Sequence, residues 1–165
     1  MNWEKTINLV KEIPYGRNSN RFDFSLVLSE NKGTCSSKHA FLKDFAEKND
    51  IRNVKLLIGI YKMSEDNTPK IGKVLSENSL DYIPEAHCYL KVNDEIIDVT
   101  STTSDFEKIK NDILEEIEIE PFQVADFKIE YHQDFIKNWI LNHQIKFTFD
   151  EIWKIRERCI AQLSI

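Results

Sequence analysis

The chain has few of the residues that mark a flexible or a disulfide-linked protein. Only 4 glycines and 4 prolines occur among its 165 residues, which excludes a low-complexity or linker-rich sequence. The three cysteines, Cys35, Cys88 and Cys159, are a sparse and odd-numbered set, so no disulfide framework is expected. A reducing cytoplasm fits this cysteine usage best. We therefore expect a single cytoplasmic domain over residues 1–165.

Long apolar runs and clusters of basic residues are also missing. No stretch approaches the roughly 20 apolar residues of a membrane span, and the first six residues lack the basic region and apolar core of a signal peptide. The formal net charge is −6, and the lysines and arginines do not cluster. The sequence thus predicts neither a membrane nor a nucleic acid as partner, and it leaves the oligomeric state open.

A cysteine stands at the predicted start of a helix. Gly33 and Thr34 precede Cys35, and apolar residues between Ala40 and Ala46 continue a helical pattern to about Asn49. Thr34 is a favoured N-cap residue. It would place Cys35 in the first turn, where unpaired N–H groups and the helix dipole favour a thiolate. Cys35 is therefore a candidate nucleophile, and a small buried packing residue is the alternative.

The hydrophobic periodicity predicts an α+β domain. We expect a central antiparallel sheet, with the Cys35 helix packed on it and C-terminal helices covering one side. The predicted helices cover residues 3–13, 35–49, 104–116, 133–142 and 149–163, and the predicted extended segments cover residues 22–28, 54–61, 87–92, 96–100 and 127–131.

Two polar regions have no clear periodicity. Residues 63–84 are irregular, with a short helical turn near 71–75, and form either a lid over a functional site or a surface excursion. Residues 115–120 are acidic and are expected to form a solvated face.

A predicted hairpin pairs a histidine with an acid. If Asn93-Asp94 forms a two-residue loop, Tyr89 lies opposite Asp98 and His87 lies opposite Thr100. These four side chains then share one face of the sheet, and Asp98 is diagonal to His87. A carboxylate beside an imidazole fixes its tautomer and stabilises the imidazolium, as a general base requires.

The other two cysteines are interpreted as packing residues. Cys88 points to the face opposite His87, together with Leu90 and Ile97. Cys159 lies in the apolar stripe of the last predicted helix.

The order of these motifs resembles that of the transglutaminase-like superfamily, whose core is a circularly rearranged relative of papain-like cysteine proteases. The matching features are Gly33-Thr34-Cys35 at a helix start, the strand at 54–61, His87 opening a strand with Tyr89 two residues later, and Asp98-Val99-Thr100 on the next strand. The resemblance covers about residues 30–102, the expected catalytic core, and the C-terminal helical part would cover about residues 132–165. Val99 stands where the family often has Pro, and Tyr89 where it often has Trp.

The resemblance implies a cysteine-dependent acyl-transfer or amide-hydrolysing enzyme that needs no cofactor. Cys35 would attack an amide or acyl carbonyl of a peptide, amide or amine substrate. His87 would pass the proton to the leaving group, and Asp98 would hold His87.

The oxyanion of this reaction would need two hydrogen-bond donors. One is the backbone N–H of Cys35. The polar loop before the nucleophile offers Tyr15, Arg17 and Asn18 for the second donor or for substrate contact, and Tyr89 is a further candidate; a solvated loop is the alternative.

Two other functions stay open. The fold could serve as a catalytically idle binding module, or the protein could be a small-molecule N-acyltransferase using a thioester donor. The second is disfavoured because no Gly-rich phosphate-binding motif occurs.

The remaining histidines give a weaker signal. His39 lies four residues after Cys35, a spacing that can bind metal, but no further ligand motif completes a site. No metal is therefore expected. His132 and His143 have no partner at useful spacing and are expected at the surface.

Overall fold

The computed structural model describes residues 2–163, so residues 1, 164 and 165 of the expected domain lie outside it. The described chain is α+β. Its helices are α1 (Trp3–Glu12), α2 (Leu26–Ser29), α3 (Cys35–Lys48), α4 (Gly72–Glu77), α5 (Asp126–Asn142) and α6 (Phe149–Gln162). Its strands are β1 (Val54–Ser64), β2 (Tyr82–Val92), β3 (Glu95–Ile97) and β4 (Ile113–Ile119).

The four strands form one antiparallel sheet in the order β3-β2-β1-β4. The long central strand β1 is buried along most of its length, because it has strand neighbours on both sides and packed side chains on both faces. This confirms the prediction of a central strand buried on both faces.

Helices cover the sheet through two apolar clusters. One cluster packs α1 and α3 against alternate residues of β1 and β2, including Ile58, Ile60 and Leu90. The other joins α4, α5 and α6 to the ends of β1 and β2, where Met63 and Ile83 are fully buried. The C-terminal helices therefore contribute to the core, as the sequence predicted.

The predicted helix at 104–116 is wrong. Short 3-10 turns occupy Phe106–Lys108 and Lys110–Asp112, and β4 follows as an edge strand that pairs Ile117 with Ile58 and Ile119 with Leu56. The alternation of isoleucine and glutamate across 117–120 is a strand pattern with period two, which buries one side and solvates the other. The expected solvated acidic face is thus the exposed side of β4.

The predicted extended segments at 22–28 and 127–131 are also wrong. Residues 26–29 form the short helix α2, which buries only Val27. Residues 127–131 belong to α5, because their apolar positions continue into a helical stripe with Ile136 and Trp139. Helix α5 therefore begins six residues before the expected helical part, and it carries Lys128 and His132 into the core region.

The irregular segment 63–84 is packed rather than loose. It contains a 3-10 turn at Pro69–Ile71 and helix α4. Ile71, Val74 and Leu75 are nearly or fully buried, and α4 contacts α6. The short helical turn expected near 71–75 is confirmed. None of the described helices is long and apolar enough to cross a membrane.

Candidate active site

The first turn of α3 has the local structure that its sequence predicts. Thr34 is the N-cap: its Oγ1 accepts a hydrogen bond from the Ser37 N–H at 3.3 Å, and its own N–H donates to Ser37 Oγ at 3.0 Å. The helix begins at Cys35, whose side chain is partly exposed. Among the described residues, no acceptor takes the N–H groups of Cys35 and Ser36. Both donors are therefore available beside the thiol.

The predicted register brings His87 to Asp98. Pairing of Leu90 with Ile97 and Val92 with Glu95 confirms the two-residue hairpin loop. Strand β3 ends at Ile97, one residue before Asp98, and His87 Nε2 lies 2.7 Å from Asp98 Oδ2.

The Asp98 carboxylate is held from its other oxygen as well. Its Oδ1 accepts hydrogen bonds from the N–H of Thr100 at 3.0 Å and from the hydroxyl of Thr100 at 2.6 Å. Burial acts to raise the pKa of Asp98, but the hydrogen bond and charge of His87 and the Thr100 hydroxyl keep it well below its ordinary value. Asp98 is therefore a fixed anion at neutral pH.

His87 is protonated in this setting. Burial acts to lower its pKa, but the hydrogen bond to Asp98 and the hydrogen bond and charge of Cys35 raise the pKa to about 10. Because Nε2 is taken by Asp98, the ring nitrogen left for Cys35 is Nδ1. The site thus holds an imidazolium beside the thiol at neutral pH.

The pKa of Cys35 lies well below its ordinary value. The largest cause is hydrogen bonding by the Cys88 thiol, which outweighs the opposing effect of burial. The positive charge of Lys128 and the hydrogen bond and charge of His87 lower the pKa further. This lowering of the pKa favours the thiolate, which is the reactive form of a cysteine side chain.

Cys88 has a second role that the sequence did not indicate. It is fully buried on the α3 side of the sheet, as expected, but Ser36 Oγ lies 3.8 Å from its Sγ. Its hydrogen bond to Cys35 and its burial raise the pKa of Cys88, which favours its neutral thiol form.

His39 joins the two ends of the site instead of binding metal. Its Nδ1 lies 2.6 Å from the Cys35 carbonyl, and the Val99 N–H donates to its Nε2 at 2.9 Å. Since Nε2 is an acceptor, Nδ1 carries the proton and the ring is neutral, and burial lowers its pKa. Both ring nitrogens form hydrogen bonds with backbone groups. Residues 2–163 contain no group of three metal-ligating side chains.

Lys38 reinforces the same junction. This lysine is fully buried, and its ammonium group donates to the carbonyls of Ile13, Val99 at 3.3 Å and Thr100 at 2.9 Å. It therefore ties the end of α1 to the segment that carries Asp98.

Lys128 is the main residue of the site that the sequence reasoning missed. Its Nζ lies 3.6 Å from Cys35 Sγ and 2.7 Å from Ser36 Oγ. Residues 127–131 were expected as an edge strand, so no contact with the nucleophile was foreseen. A local sequence signal for this contact does not exist, because the two residues are separated by 93 positions.

A groove of about 1300 Å³ is lined by Cys35, Ser36, His87, Asp98 and Lys128. Three of the four predicted substrate or oxyanion candidates, Tyr15, Arg17 and Asn18, line it. Tyr15 is placed beside the nucleophile because the Gly16 N–H donates to the Gly33 carbonyl and the Gly33 N–H to the Pro14 carbonyl. The start of the 63–84 segment also lines the groove, at 67–70.

Asn18 is a fixed part of the groove wall. Its Nδ2 donates to Glu30 Oε2 at 3.0 Å and to the Lys32 carbonyl at 2.8 Å. Its buried Oδ1 has no hydrogen-bond partner among the described residues. This oxygen is therefore available to accept a hydrogen bond from a bound molecule.

The fourth candidate, Tyr89, is buried and lies outside the groove lining. Its hydroxyl donates to Glu116 Oε2 at 2.5 Å, and its ring centroid lies 5.9 Å from that of His87. The ring crosses Gly59 of β1, where a Cβ would lie 2.9 Å from Tyr89 Cε1. Tyr89 therefore packs behind His87 rather than facing a substrate.

The far part of the groove contains a buried ion pair. Arg156 of α6 donates from Nε and from a terminal nitrogen to the two oxygens of Glu85, both at 2.9 Å. Burial acts to raise the pKa of Glu85, but Arg156 keeps it below its ordinary value. Glu85, two residues before His87 on β2, lines the groove.

The prediction that His132 lies at the surface is wrong, whereas His143 is exposed as expected. His132 is 3% exposed, and its Nε2 lies 2.9 Å from the Pro84 carbonyl. Burial lowers the pKa of His132. The reason for the error is that α5 starts before residue 132 and turns this side chain toward β2.

Comparison with known proteins gives no relative from which a role for these residues could be transferred. No family model matches the chain, and neither a curated protein nor a solved structure shows significant similarity to it.

Proposed function

We propose that the protein is a cysteine-dependent enzyme for acyl transfer or amide hydrolysis, with Cys35 as nucleophile, His87 as acid and base, and Asp98 as the residue that orients His87. The observation that carries this proposal is geometric: Cys35 begins a helix and lines the same groove as His87, whose Nε2 lies 2.7 Å from Asp98. The hydrogen bond and charge of His87 also help to lower the pKa of Cys35. A packing cysteine requires neither the lowered pKa nor the open groove.

The proposed reaction has two balanced steps. In the first, Cys35 Sγ forms a bond to the carbonyl carbon, and the carbonyl π electrons move to the oxygen. When this oxyanion collapses, the bond to the leaving group breaks, and His87 gives its proton to the leaving amine or alcohol. In the second step, His87 takes a proton from water or an amine, which attacks the thioester and releases Cys35 as thiolate.

The free N–H of Cys35 supports the oxyanion in this scheme. It points out of the first turn of α3 and has no protein acceptor among the described residues. Such preorganised donors at the developing charge are the largest contribution in many acyl-transfer enzymes. Because Ser36 also has a free N–H, the helix start supplies donors without any change in conformation.

The order of these elements also supports the transglutaminase-like fold that the motifs suggest. A helix start carries the nucleophile, and a central strand follows it. The base lies on the first strand of the next hairpin, and the orienting acid directly follows the second strand. We propose the cytoplasm as the compartment, since all three cysteines are free thiols and the chemistry requires a reduced Cys35. Peptide, amide or amine compounds remain the proposed substrates.

The proposal is tested with an activated aryl ester and an activated anilide, with and without a primary amine as acceptor. We expect an initial burst of leaving group, and a thioester on the Cys35 peptide in mass spectra of acid-quenched protein. Cys35→Ala should abolish both signals. His87→Ala should lower turnover at least a hundredfold, because general acid–base catalysis contributes about that much.

His143→Ala is the matched control, because it removes an exposed histidine of the same chain outside the groove. Turnover of this variant should equal that of the unaltered protein. Equal rates in the unaltered protein and in Cys35→Ala, with no adduct on Cys35, would refute the enzyme and leave the idle binding module.

A further inference from the structure

A lysine from a distant part of the chain lies against the candidate nucleophile. Lys128 stands in the first turn of α5, and Cys35 stands in the first turn of α3. Nζ of Lys128 is 3.6 Å from Cys35 Sγ and donates a hydrogen bond to Ser36 Oγ at 2.7 Å. The Ser36 contact fixes the ammonium group beside the sulfur.

The charge of Lys128 has no carboxylate partner in the described chain. None of the ion pairs within residues 2–163 includes it. Glu85, an acid of the groove whose charge acts on Lys128, is already paired with Arg156 through two hydrogen bonds. A partly buried ammonium group without a counter-ion is costly, so the Cys35 thiolate is the anion that balances it.

The ionisation of Lys128 agrees with this pairing. Burial acts to lower its pKa, but the charges of Cys35, Cys88 and Glu85 raise the pKa above its ordinary value. The group is therefore an ammonium ion throughout the range in which a cysteine nucleophile operates, and it cannot act as a base there.

We propose that Lys128 is a catalytic residue that holds the Cys35 thiolate as an ion pair and then donates a hydrogen bond to the oxyanion formed on the substrate. The oxyanion part rests on the proposed function, whereas the ion pair does not.

The geometry allows both contacts. An ammonium group has three N–H donors, and the described contacts, to Ser36 and Cys35, account for two of them. In a tetrahedral adduct, the oxygen is two bonds away from Cys35 Sγ. It therefore lies no farther from this sulfur than Nζ of Lys128 does. Donors in oxyanion holes lie about 2.7–3.1 Å from that oxygen. With the Cys35 N–H, Lys128 completes a pair of donors.

Other titratable residues surround Lys128 and Cys35, and none of them is replaced in the Lys128 variants described below. Those from the strands are Tyr61, Glu85, His87 and Cys88, with Asp98 behind His87. Those from the helices and the preceding loop are Tyr15, His39, His132 and Arg156. Among the described residues, the positive charges that act most strongly on Cys35 are those of Lys128 and His87.

The test replaces the charge while keeping the side-chain stem. Lys128→Gln and Lys128→Met remove the charge, and Lys128→Arg retains it. Lys137→Gln is the matched control, because Lys137 is an exposed lysine of the same helix that lies over the Phe149 ring and outside the groove. Circular dichroism and urea midpoints show that each variant is folded, and any variant that is not folded is replaced by the other uncharged one.

The first readout needs no substrate. The Cys35 thiolate is titrated by its ultraviolet absorbance, with Cys35→Ala as the blank, and by the rate of iodoacetamide labelling. Lys128→Gln should raise the midpoint by about one unit, so that labelling at any pH at least one unit below the original midpoint slows about tenfold. Lys128→Arg and Lys137→Gln should retain the original midpoint. Identical midpoints in Lys128→Gln and the unaltered protein would overturn the ion pair.

The second readout is turnover of the activated ester at a pH above the thiolate midpoints of both proteins. The thiolate is then complete in each, so a remaining loss reports the oxyanion. We expect kcat/KM of Lys128→Gln to fall about a hundredfold, as when one oxyanion donor is removed. Full turnover in this variant at that pH would overturn the oxyanion role. Failure of the unaltered protein to turn over any substrate would instead refute the proposed function.

Discussion

His87 Nε2 lies 2.7 Å from Asp98 Oδ2, so the histidine presents Nδ1 to the nucleophile. The contact is made possible by the end of β3 at Ile97, which frees the next residue from strand pairing. Asp98 is then held by Thr100 and turned toward β2. The acid thus fixes both the orientation and the charge of the imidazole.

The first prediction concerns this pair. Asp98→Asn should lower the pKa of His87 from about 10 toward the ordinary value of about 6.5, because the carboxylate that stabilises the imidazolium is lost. The ring proton resonances of His87, followed by NMR as a function of pH, measure this shift. Asp105→Asn is the control, since Asp105 lines the groove and, within the described residues, its carboxylate accepts a hydrogen bond only from the nearby Glu107 N–H. Equal titration of both variants would contradict the assignment.

The second prediction ranks the three thiols. Limiting iodoacetamide should label Cys35 first and should still do so near pH 6, because only Cys35 is partly exposed and has a lowered pKa. Cys88 and Cys159 are fully buried. The hydrogen bond to Cys35 raises the pKa of Cys88, and burial raises the pKa of Cys159 to about 11. Mass spectrometry of the peptides gives the order, and equal labelling of all three would refute it.

The labelling also depends on the two cations. His87→Ala should slow labelling of Cys35 near pH 6, while part of it should persist through Lys128. A profile that His87→Ala leaves unchanged would exclude the ion pair. The exposed His143→Ala variant controls for the loss of a histidine.

The third prediction concerns stability and pH. The folded pKa of His87 is raised to about 10, so its contribution is full below the unfolded value of about 6.5 and is lost as the pH rises through about 10. The folded pKa of Cys35 is lowered, so its contribution is present above the unfolded value of about 8.5 and is lost as the pH falls.

Together, the two effects give a contribution to the free energy of unfolding that is constant over a middle range of pH. Between about pH 6.5 and 8.5 both the folded pair and the unfolded chain bind one proton, so the pair's contribution to the free energy of unfolding is constant. It should decrease below and above that range. Urea unfolding of the unaltered protein and of the double variant Cys35→Ala/His87→Ala, compared at each pH, isolates this contribution. A difference that does not change with pH would contradict the coupled pair.

The fourth prediction compares two ion pairs of α6. Glu85→Gln should destabilise the protein by about 3–5 kcal/mol, because it leaves Arg156 without its buried partner. Glu77→Gln breaks the exposed pair with Arg158, also at 2.9 Å, and should cost only about 0–1 kcal/mol.

The pH dependence of the buried pair has a definite sign. Arg156 outweighs the effect of burial and lowers the folded pKa of Glu85, so its contribution is present above the unfolded value of about 4.3 and is lost as the pH falls further. Stability below about pH 4.3 should therefore fall less steeply in Glu85→Gln. Equal urea midpoints for Glu85→Gln and Glu77→Gln would contradict the burial of the pair.

The fifth prediction compares alanine substitutions at two of the four glycines. Gly59→Ala should cost about 1–3 kcal/mol by overpacking, because its Cβ would lie 2.9 Å from Cε1 of the buried Tyr89 ring. That ring lies behind His87, so labelling of Cys35 should slow as well. Gly16→Ala meets only the side chain of Lys32, at 3.3 Å, and should change stability by less than about 0.5 kcal/mol. Urea unfolding of the two variants provides the comparison.

The sequence by itself determined the parts of the site that depend on neighbouring residues. Thr34 caps the helix at Cys35, because a side-chain oxygen three residues before a free N–H is a local interaction. The two-residue loop at 93–94 sets the hairpin register, and that register alone places Asp98 near His87. The central position of β1 also followed from its apolar composition.

The secondary structure of short periodic segments was predicted least well from the sequence. Residues 127–131 alternate like a strand, and residues 104–116 were predicted as a helix. The first instead belong to α5, and the second lead into β4. Local preference did not decide these segments, because each takes the form that buries its apolar residues against elements far away in the chain.

Only the tertiary structure decided what surrounds the thiol. Lys128 and Cys35 are 93 positions apart, and Glu85 and Arg156 are 71 apart. His39, whose spacing from Cys35 indicated no partner of its own, accepts a hydrogen bond from the N–H of Val99, 60 positions away. No local pattern encodes such contacts, because they arise when α5 and α6 close over the ends of β1 and β2 to bury their apolar faces, and the charged side chains on those helices are carried with them.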